Sequence, residues 1–458
     1  MNDIGASILI ILIALVFWAP RRWALVGMMA GVLYLTNGQV LNVFGFNLFA
    51  IRLLELAGFA RVMARKELLL FKLNGIDRVF ISLYAYSTLV FLIRSNVGQA
   101  YAIGMMVDAS LCYFTFRALI ISIDDLKWFL CIFVIFLLPY VALLLVEMLT
   151  RENPFVLIGG ESFVERNGRL RCMGSFRHSS LLGTLGAAFL PLYVALFFDR
   201  NNRIRAFYGI GLCLGIVYLS NSGGPLSAAA MGLIGWLFWI FKTKMSLVRR
   251  LLVCLIITLA SVMEAPIWYL PAKVSSFSGG DGWHRSRLME VAFEDIDQWW
   301  LAGMDLEQTK DWFPYHPVAT GVADITNQYL AFGLDSGFLA MVLFIFLITR
   351  AFQAIGQALE IVRSSAKLPN DTEYFLWGLG CVILVHISTW LGITYTFDQT
   401  YVIWFMHLAA VSSISQACIE TKIQAAKDIN LGQNRVRQNI YRKRDITKPR
   451  NSYDNARI

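Results

Sequence analysis

Residues 266–323 read PIWYLPAKVSSFSGGDGWHRSRLMEVAFEDIDQWWLAGMDLEQTKDWFPYHPVATGVA, the longest polar interruption in a chain whose flanks on both sides are apolar. The runs Leu251–Glu264 before it and Tyr329–Ile348 after it read as membrane spans, so the stretch reads as a large surface loop between two late spans. Everything else in the chain is read outward from that loop.

With 57% hydrophobic and 14% aromatic residues over 458 positions, the chain carries more apolar surface than a soluble fold can hide. Further spans are expected near Ile4–Trp18, Trp23–Leu35, Val79–Ile93, Gln99–Ile121, Trp128–Leu149, Ser180–Phe198, Ala206–Leu219, Leu226–Phe241, Tyr374–Trp390 and Tyr401–Val411. These runs are continuous and do not alternate, which points to helices and away from a barrel. The fold class is therefore an all-α polytopic membrane protein with about 12–13 transmembrane helices. A single membrane-embedded domain is expected over residues 1–417, with outer loops at about 150–179 and 266–328, followed by a basic, disordered cytoplasmic tail at 418–458. The first run lacks a basic n-region and leads straight into a second, so it is expected to remain as an anchor.

The net charge of +9 does not call for nucleic acid, because Lys and Arg collect on the cytoplasmic loops of membrane proteins. The tail carries Lys422, Lys427, Arg435, Arg437, Arg442, Lys443 and Arg444, which puts the C-terminus in the cytoplasm. Residues 350–371, 242–250 and 199–205 alternate onto the same side, so the 266–323 loop and the loop Thr150–His178 face outward. The stretch Phe44–Ala60 is apolar yet holds Asn47, Arg52 and Glu55. If it spans, Arg21, Arg22 and the run Arg61–Arg78 are cytoplasmic and the N-terminus lies outside, the version the basic loops favour. Arg117 is expected to snorkel from the end of its span, and Asp108 to hydrogen-bond inside the bundle.

Four arginines, Arg166, Arg169, Arg171 and Arg177, crowd the first outer loop in ERNGRLRCMGSFRHSSLLG, against the sign rule for short outward loops. Guanidinium suits bidentate contact with phosphate oxygens, so an anionic ligand at the outer membrane face is expected there. The turn Ser220–Pro225 (SNSGGP) leads into a span with amides that suit an anion or simply cap a hairpin. The large loop offers His284, Arg285 and Arg287 at its start, and His316, Asp324, Thr326 and Asn327 near its end. Trp283, Trp299, Trp300 and Trp312 offer faces for sugars or for the membrane interface. His178, His284 and His316 lack zinc-type spacing and the seven cysteines form no ligand pattern, so no metal and no cofactor are expected.

The segments RLRCMGSFRHSSLLG, SNSGGP, GWHRSRLME and DITNQYLAFGLDSGFLA, in this order between spans, resemble the O-antigen ligase and Wzy-type polysaccharide polymerase superfamily, in its exopolysaccharide-cluster branch. The resemblance implies a GT-C-like, metal-independent inverting glycosyltransferase of the bacterial inner membrane with a periplasmic active site. It implies a donor glycan on undecaprenyl diphosphate, membrane lipid as surroundings, and association with other polysaccharide assembly proteins. A polymerase would use another lipid-linked repeat unit as acceptor, whereas an O-antigen ligase would use lipid A core. Two departures from the ligase pattern are Gly223, where an arginine follows the hairpin serine, and Thr326, where a histidine precedes the asparagine.

Displacement at an anomeric carbon needs cations for the diphosphate and a base for the acceptor hydroxyl. Arg171 and Arg285 are the principal expected diphosphate ligands, with Arg177 and Arg287 second. Asp324 is the expected base, with His316 second, and His178, Ser222, His284 and Asn327 are further substrate-binding candidates. A transporter of lipid-linked sugars is the rival from another class. The clustering of ionisable residues on one outer face, without an internal repeat, favours the enzyme.

Overall fold

The computed structural model describes residues 1–43, 46–95, 98–166, 168–270, 273, 282–313, 322–364, 370–396 and 398–446, and the side chains of these except 43, 46, 370 and 425–446. Among them, ten helices are long and apolar enough to cross a membrane. The protein is an all-α polytopic membrane protein, and its only strands among the described residues are two short hairpins.

Three shorter helices open the chain: α1 (Asp3–Trp18), α2 (Arg21–Tyr34) and α3 (Ala50–Ala64). Their ends register with two faces of the bundle. Asn2 Nδ2 donates to the carbonyl of Leu157 and Gln39 Nε2 to that of Ile158, so the start of α1 and the β-hairpin before α3 sit against the loop that follows α6 (Ile123–Thr150). At the other end, Arg61 Nη1 donates to the carbonyls of Val16 and Ala19, and Arg21 and Arg22 both pair with Asp125 at the start of α6. Thus α1 and α3 run in one direction and α2 in the other. Of the stretch 44–60, residues 46–49 are a hairpin strand and those from Ala50 on a helix through the bundle, and the N-terminus shares a face with the 150–178 loop.

The remaining helices alternate between these faces: α4 (Gly75–Arg94), α5 (Gln99–Leu119), α6, α7 (Ser179–Phe197), α8 (Arg203–Ser220), α9 (Gly223–Leu237) and α10 (Met245–Val262). Ser179–Phe197 is the centre of the bundle, with nearly all of its residues buried. By contrast α10 stands outside it, with Val248 its one buried residue.

Two polar clusters clamp the bundle. At the face opposite the cleft described below, Arg117 Nε and Nη2 hold both Asp77 oxygens at 3.0 and 3.1 Å, and Tyr113, Ser412 and Ser413 join them. Arg117 is 1% exposed, so it does not snorkel as its position suggests; an acid on the preceding helix, Asp77, neutralises it where it stands. Asp108 pairs across helices with Arg52, at 2.5 and 2.6 Å.

The expected span Tyr329–Ile348 is instead a helical hairpin. The short helix Gln328–Ser336 starts inside the bundle beside Tyr395 and rises outward, and the long helix Phe338–Ser364 descends from there. The break is at Gly337, whose φ of 86° favours glycine and whose Cβ would lie 2.5 Å from the Leu301 carbonyl oxygen. Phe338 N donates to Trp300 O at 2.7 Å, which ties this corner to the large loop. Two further helices, Asn370–Trp390 and Thr400–Ile446, complete the chain. The last one takes in much of the basic stretch expected to be a disordered tail, where Ala, Gln, Lys and Arg supply helix propensity. Residues 447–458 lie outside the described residues.

This registry gives a direct test. Cysteines introduced at Asn2 and Asn221 should react with a membrane-impermeant thiol reagent from one side and a cysteine at Lys244 from the other. Labelling of Asn2 and Lys244 from the same side would contradict the crossing of α3.

Candidate active site

Arg171 ends the β-hairpin Val164–Arg166 and Arg169–Arg171. The chain after it is welded down by backbone and side-chain bonds. Cys172 N donates to Leu219 O at 3.1 Å, and the Glu147 carboxylate at the end of α6 accepts from Met173 N and Gly174 N at 2.8 and 3.0 Å. Asn221 Nδ2 also reaches Leu170 O. The arginine loop and the Ser220–Pro225 turn are thereby one rigid unit.

The result is a cleft of about 990 Å³ that draws residues from five separate segments. Arg171, Arg177, His178, Ser222, His284, Arg285 and Asp324 all line it. Arg166 and Arg169 join them, so five arginines face two carboxylates, Asp324 and Asp398. Arg171 is 7% exposed, its Nη2 donates to Ser222 Oγ at 3.2 Å, and its buried Nε has no hydrogen-bond partner. Among the described residues no carboxylate lies in ion-pair range of it. Burial, then the charges of Arg166 and Arg285, lower the Arg171 guanidinium from its ordinary value. An arginine remains a cation under such pressure, so an incoming anion relieves it.

Arg285 comes from the helix Gly282–Glu294 at the mouth of the large loop. Its guanidinium lies flat against Gly392, where an added Cβ would fall 2.6 Å from Cζ and Nε, and 3.7 Å from where a Gly224 Cβ would stand is its Nη2. Both arginines therefore converge on the first turn of α9. Ser222 is the N-cap there and its hydroxyl accepts from Arg171, so the first amides of α9 have no side-chain cap, and Gly223 and Gly224 line the cleft.

His178 caps α7, its Nδ1 accepting from Ser180 N at 3.2 Å. That bond puts the proton of the neutral ring on Nε2, which makes the ring a donor. Burial, then Arg171, Arg166 and Arg285, lower its pKa to about 4. Asp398 is 2% exposed and accepts from Arg177 N at 2.9 Å and from Thr400 N and Oγ1 at 3.1 and 2.8 Å. Its oxygens are occupied with holding the arginine loop to the last helix, and burial raises it above the ordinary carboxylate range. The Asp324 side chain, in contrast, is exposed and makes no hydrogen bond or ion pair to another described residue. His284 Nε2 lies 3.3 Å from the Asp324 carbonyl oxygen, and its ring stacks on Phe313 at 4.4 Å.

Three sequence candidates are placed elsewhere or lie beyond description. Arg287 is not among the cleft residues; it pairs with Glu290 and, at 3.6 Å, with Glu294. Asn327 is buried as the N-cap of Gln328–Ser336, accepting from Leu330 N at 3.1 Å. His316 lies outside the described residues. Of the tryptophans, Trp299 and Trp312 belong to the loop's own core, while Trp283 and Trp300 are exposed. Conversely, Gly392, Thr394, Thr396 and Asp398 line the cleft without having been singled out. Their signal was a short polar stretch, GITYTFDQT, with an acid just ahead of a span on the same face.

Comparison with family models and with curated proteins returns no match for this chain.

Two measurements check the geometry. Gly392→Ala should displace the Arg285 guanidinium and weaken binding of inorganic diphosphate about tenfold or more, the worth of one charge-assisted hydrogen bond, without lowering thermal stability. Unchanged binding by calorimetry would detach Arg285 from the anion seat. The His178 imidazole in the ligand-free protein should remain neutral as pH falls past its ordinary value of 6.5, gaining its proton only near 4. NMR of labelled histidine, with His178→Asn for assignment, reads this directly; titration near 6.5 would contradict the cation-ringed position.

Proposed function

We propose that this protein is a membrane-embedded glycosyltransferase of the GT-C kind. It would act at the face opposite its basic loops, moving a glycan from a polyprenyl diphosphate carrier to a lipid-linked repeat unit, as a polysaccharide polymerase does. The observation that carries the reading is Arg171. A buried guanidinium with no carboxylate partner among the described residues, next to Arg285 and a helix N-terminus, is a seat for a multiply charged anion at a membrane surface.

The reaction assigns each group a task. The bond between the anomeric carbon and the diphosphate oxygen breaks, and the leaving diphosphate gains negative charge. Arg171, Arg285 and the α9 amides are fixed before the reaction begins, so they stabilise that charge without reorganising. His178 adds a neutral donor through Nε2. The acceptor hydroxyl attacks from the opposite face of the sugar, which inverts the configuration, and passes its proton to Asp324. Asp324 suits the base because its carboxylate is uncommitted, whereas that of Asp398 is already spent on Arg177 and Thr400. Asp398 is a positioning residue in this scheme. Inner-membrane residence with a cytoplasmic C-terminus is part of the same proposal, supported by the basic character of the opposite face.

Arg171→Lys keeps the charge but loses the planar fork, and it should lower transfer from a lipid diphosphate donor by about a hundredfold or more at unchanged protein level. Asp324→Asn should stop chain growth while leaving inorganic diphosphate binding intact. Polymer ladders from purified Asp324→Asn protein would move the base to another residue, and near-normal ladders from Arg171→Lys would remove the diphosphate role.

A further inference from the structure

A second cavity of about 780 Å³ adjoins the cationic cleft, and the two share Arg177, Thr396 and Asp398 in their walls. Its character is different. The lining is mostly aromatic and aliphatic, with Tyr84, Phe332, Phe344, Trp390, Trp404 and Phe405 forming the inner wall. Two of the charged residues in it pair with each other, Arg52 Nη2 and Nε with Asp108, and the Asp398 carboxylate accepts from Arg177 N and Thr400. Arg177 stands in the wall shared with the cationic cleft, and the rest of the chamber offers little to a charged ligand.

The chamber also has a side entrance. Leu56 on α3 and Ile103 on α5 both line it and are 41% and 45% exposed, so the chamber wall is open beside them. They stand six and four residues past the cleft-face ends of their helices, about 9 and 6 Å down at 1.5 Å per residue. For helices that cross the bilayer, that depth is below the headgroup level and toward the hydrocarbon. The Arg52–Asp108 pair joins the same two helices. Gly104 leaves room for it, since a Cβ there would lie 3.2 Å from Arg52 Nη2.

We propose that this chamber is a lipid-chain site, entered sideways from the bilayer between α3 and α5, with the Arg52–Asp108 pair bracing its entrance. The occupant is the long hydrocarbon chain of the lipid whose diphosphate headgroup sits in the adjoining cleft, and in this identity the inference rests on the function proposed above. Continuity at Arg177, Thr396 and Asp398 selects that lipid. One molecule with an anionic head and an uncharged chain matches both cavities at once, whereas a free phosphate would leave the apolar chamber unfilled. The entrance lets the chain pass between lipid and protein without dragging the headgroup through hydrocarbon, a transfer that would cost the desolvation of several charges.

The test uses the full-length protein in nanodiscs and a polyprenyl phosphate that carries a photoreactive diazirine in its chain. Adducts mapped by mass spectrometry should fall on chamber residues such as Leu56, Tyr101 and Phe405. Unlabelled polyprenyl phosphate should compete them away; inorganic diphosphate, which has no chain, should not. Ile103→Trp, at an exposed position in the chamber wall, should cut chamber labelling about tenfold or more, and Gly104→Leu should do the same from the neighbouring position. Both variants should bind inorganic diphosphate normally, which shows that they are folded and that the cleft is intact. Adducts spread over exposed helices such as α10, labelling unchanged in both variants, or equal competition by phosphatidylglycerol would each overturn the assignment. Chamber labelling without any glycan transfer would sink the proposed reaction and leave the lipid site standing. Transfer without chamber labelling would do the reverse.

Discussion

Two guanidinium groups that face the same helix start, one of them buried and without a carboxylate among the described residues, set the terms for the rest of this protein. Such an arrangement raises the free energy of the empty site, because burial and like charge both act against Arg171. It persists only if the loop that carries it cannot swing into water. The surrounding bonds supply that restraint. Glu147 holds the amides after Arg171, Cys172 and Asn221 knit the loop to the end of α8, and Asp398 holds the amide of Arg177. Each of these partners comes from a different helix or from a helix junction, so the anion seat is a property of the bundle rather than of a loop.

The bundle in turn is stiffened at its opposite face by a charge cluster with a different character. Asp77 and Arg117 are buried but fully paired, and serine and tyrosine hydroxyls complete their hydrogen bonding. A pair of this kind contributes little net stability over apolar packing, yet losing one partner costs about 3–5 kcal/mol because the other is stranded. Satisfied charge at one face and unsatisfied charge at the other therefore play distinct parts. The first locks α4, α5 and the last helix in register, and the second waits for a ligand.

Much of this was legible in the sequence because membrane physics leaves few choices. Continuous apolar runs had to be helices, and the excess of arginine in a short outward loop had to be explained by something other than topology. Arg171, Arg177 and His178 were singled out on the second ground, Ser222 on the polar turn, and His284, Arg285 and Asp324 on the ends of the large loop and the family resemblance, and one cleft brings them together. What stayed hidden was three-dimensional. The hairpin at Gly337 depends on close approach of Leu301 from another segment, which hydropathy cannot register, so one apolar run was read as one span. Arg117 looked like a snorkelling residue because its partner, Asp77, sits on a different helix. Arg287 and Arg285 are two positions apart on one helix and point apart, so of the two only Arg285 reaches the cleft.

The two carboxylates of the cleft show how burial can separate roles that composition leaves equal. An acid that is to accept a proton must be able to present a lone pair to the substrate. Asp398 has three donors on its two oxygens and lies under the surface, so taking a proton there would compete with the bonds that fix Arg177. Asp324 has no such commitments, and the backbone that carries it is held by His284, itself braced by Phe313, and by the Thr309 hydroxyl that accepts from Ala323 N at 3.0 Å. A free carboxylate on a fixed backbone meets the geometric demand on a general base, and a buried carboxylate with its bonds filled meets the demand on a scaffold. That division follows from hydrogen-bond bookkeeping alone. It would remain if the acceptor were a different glycan, because it depends on where each acid sits and not on the sugar it serves.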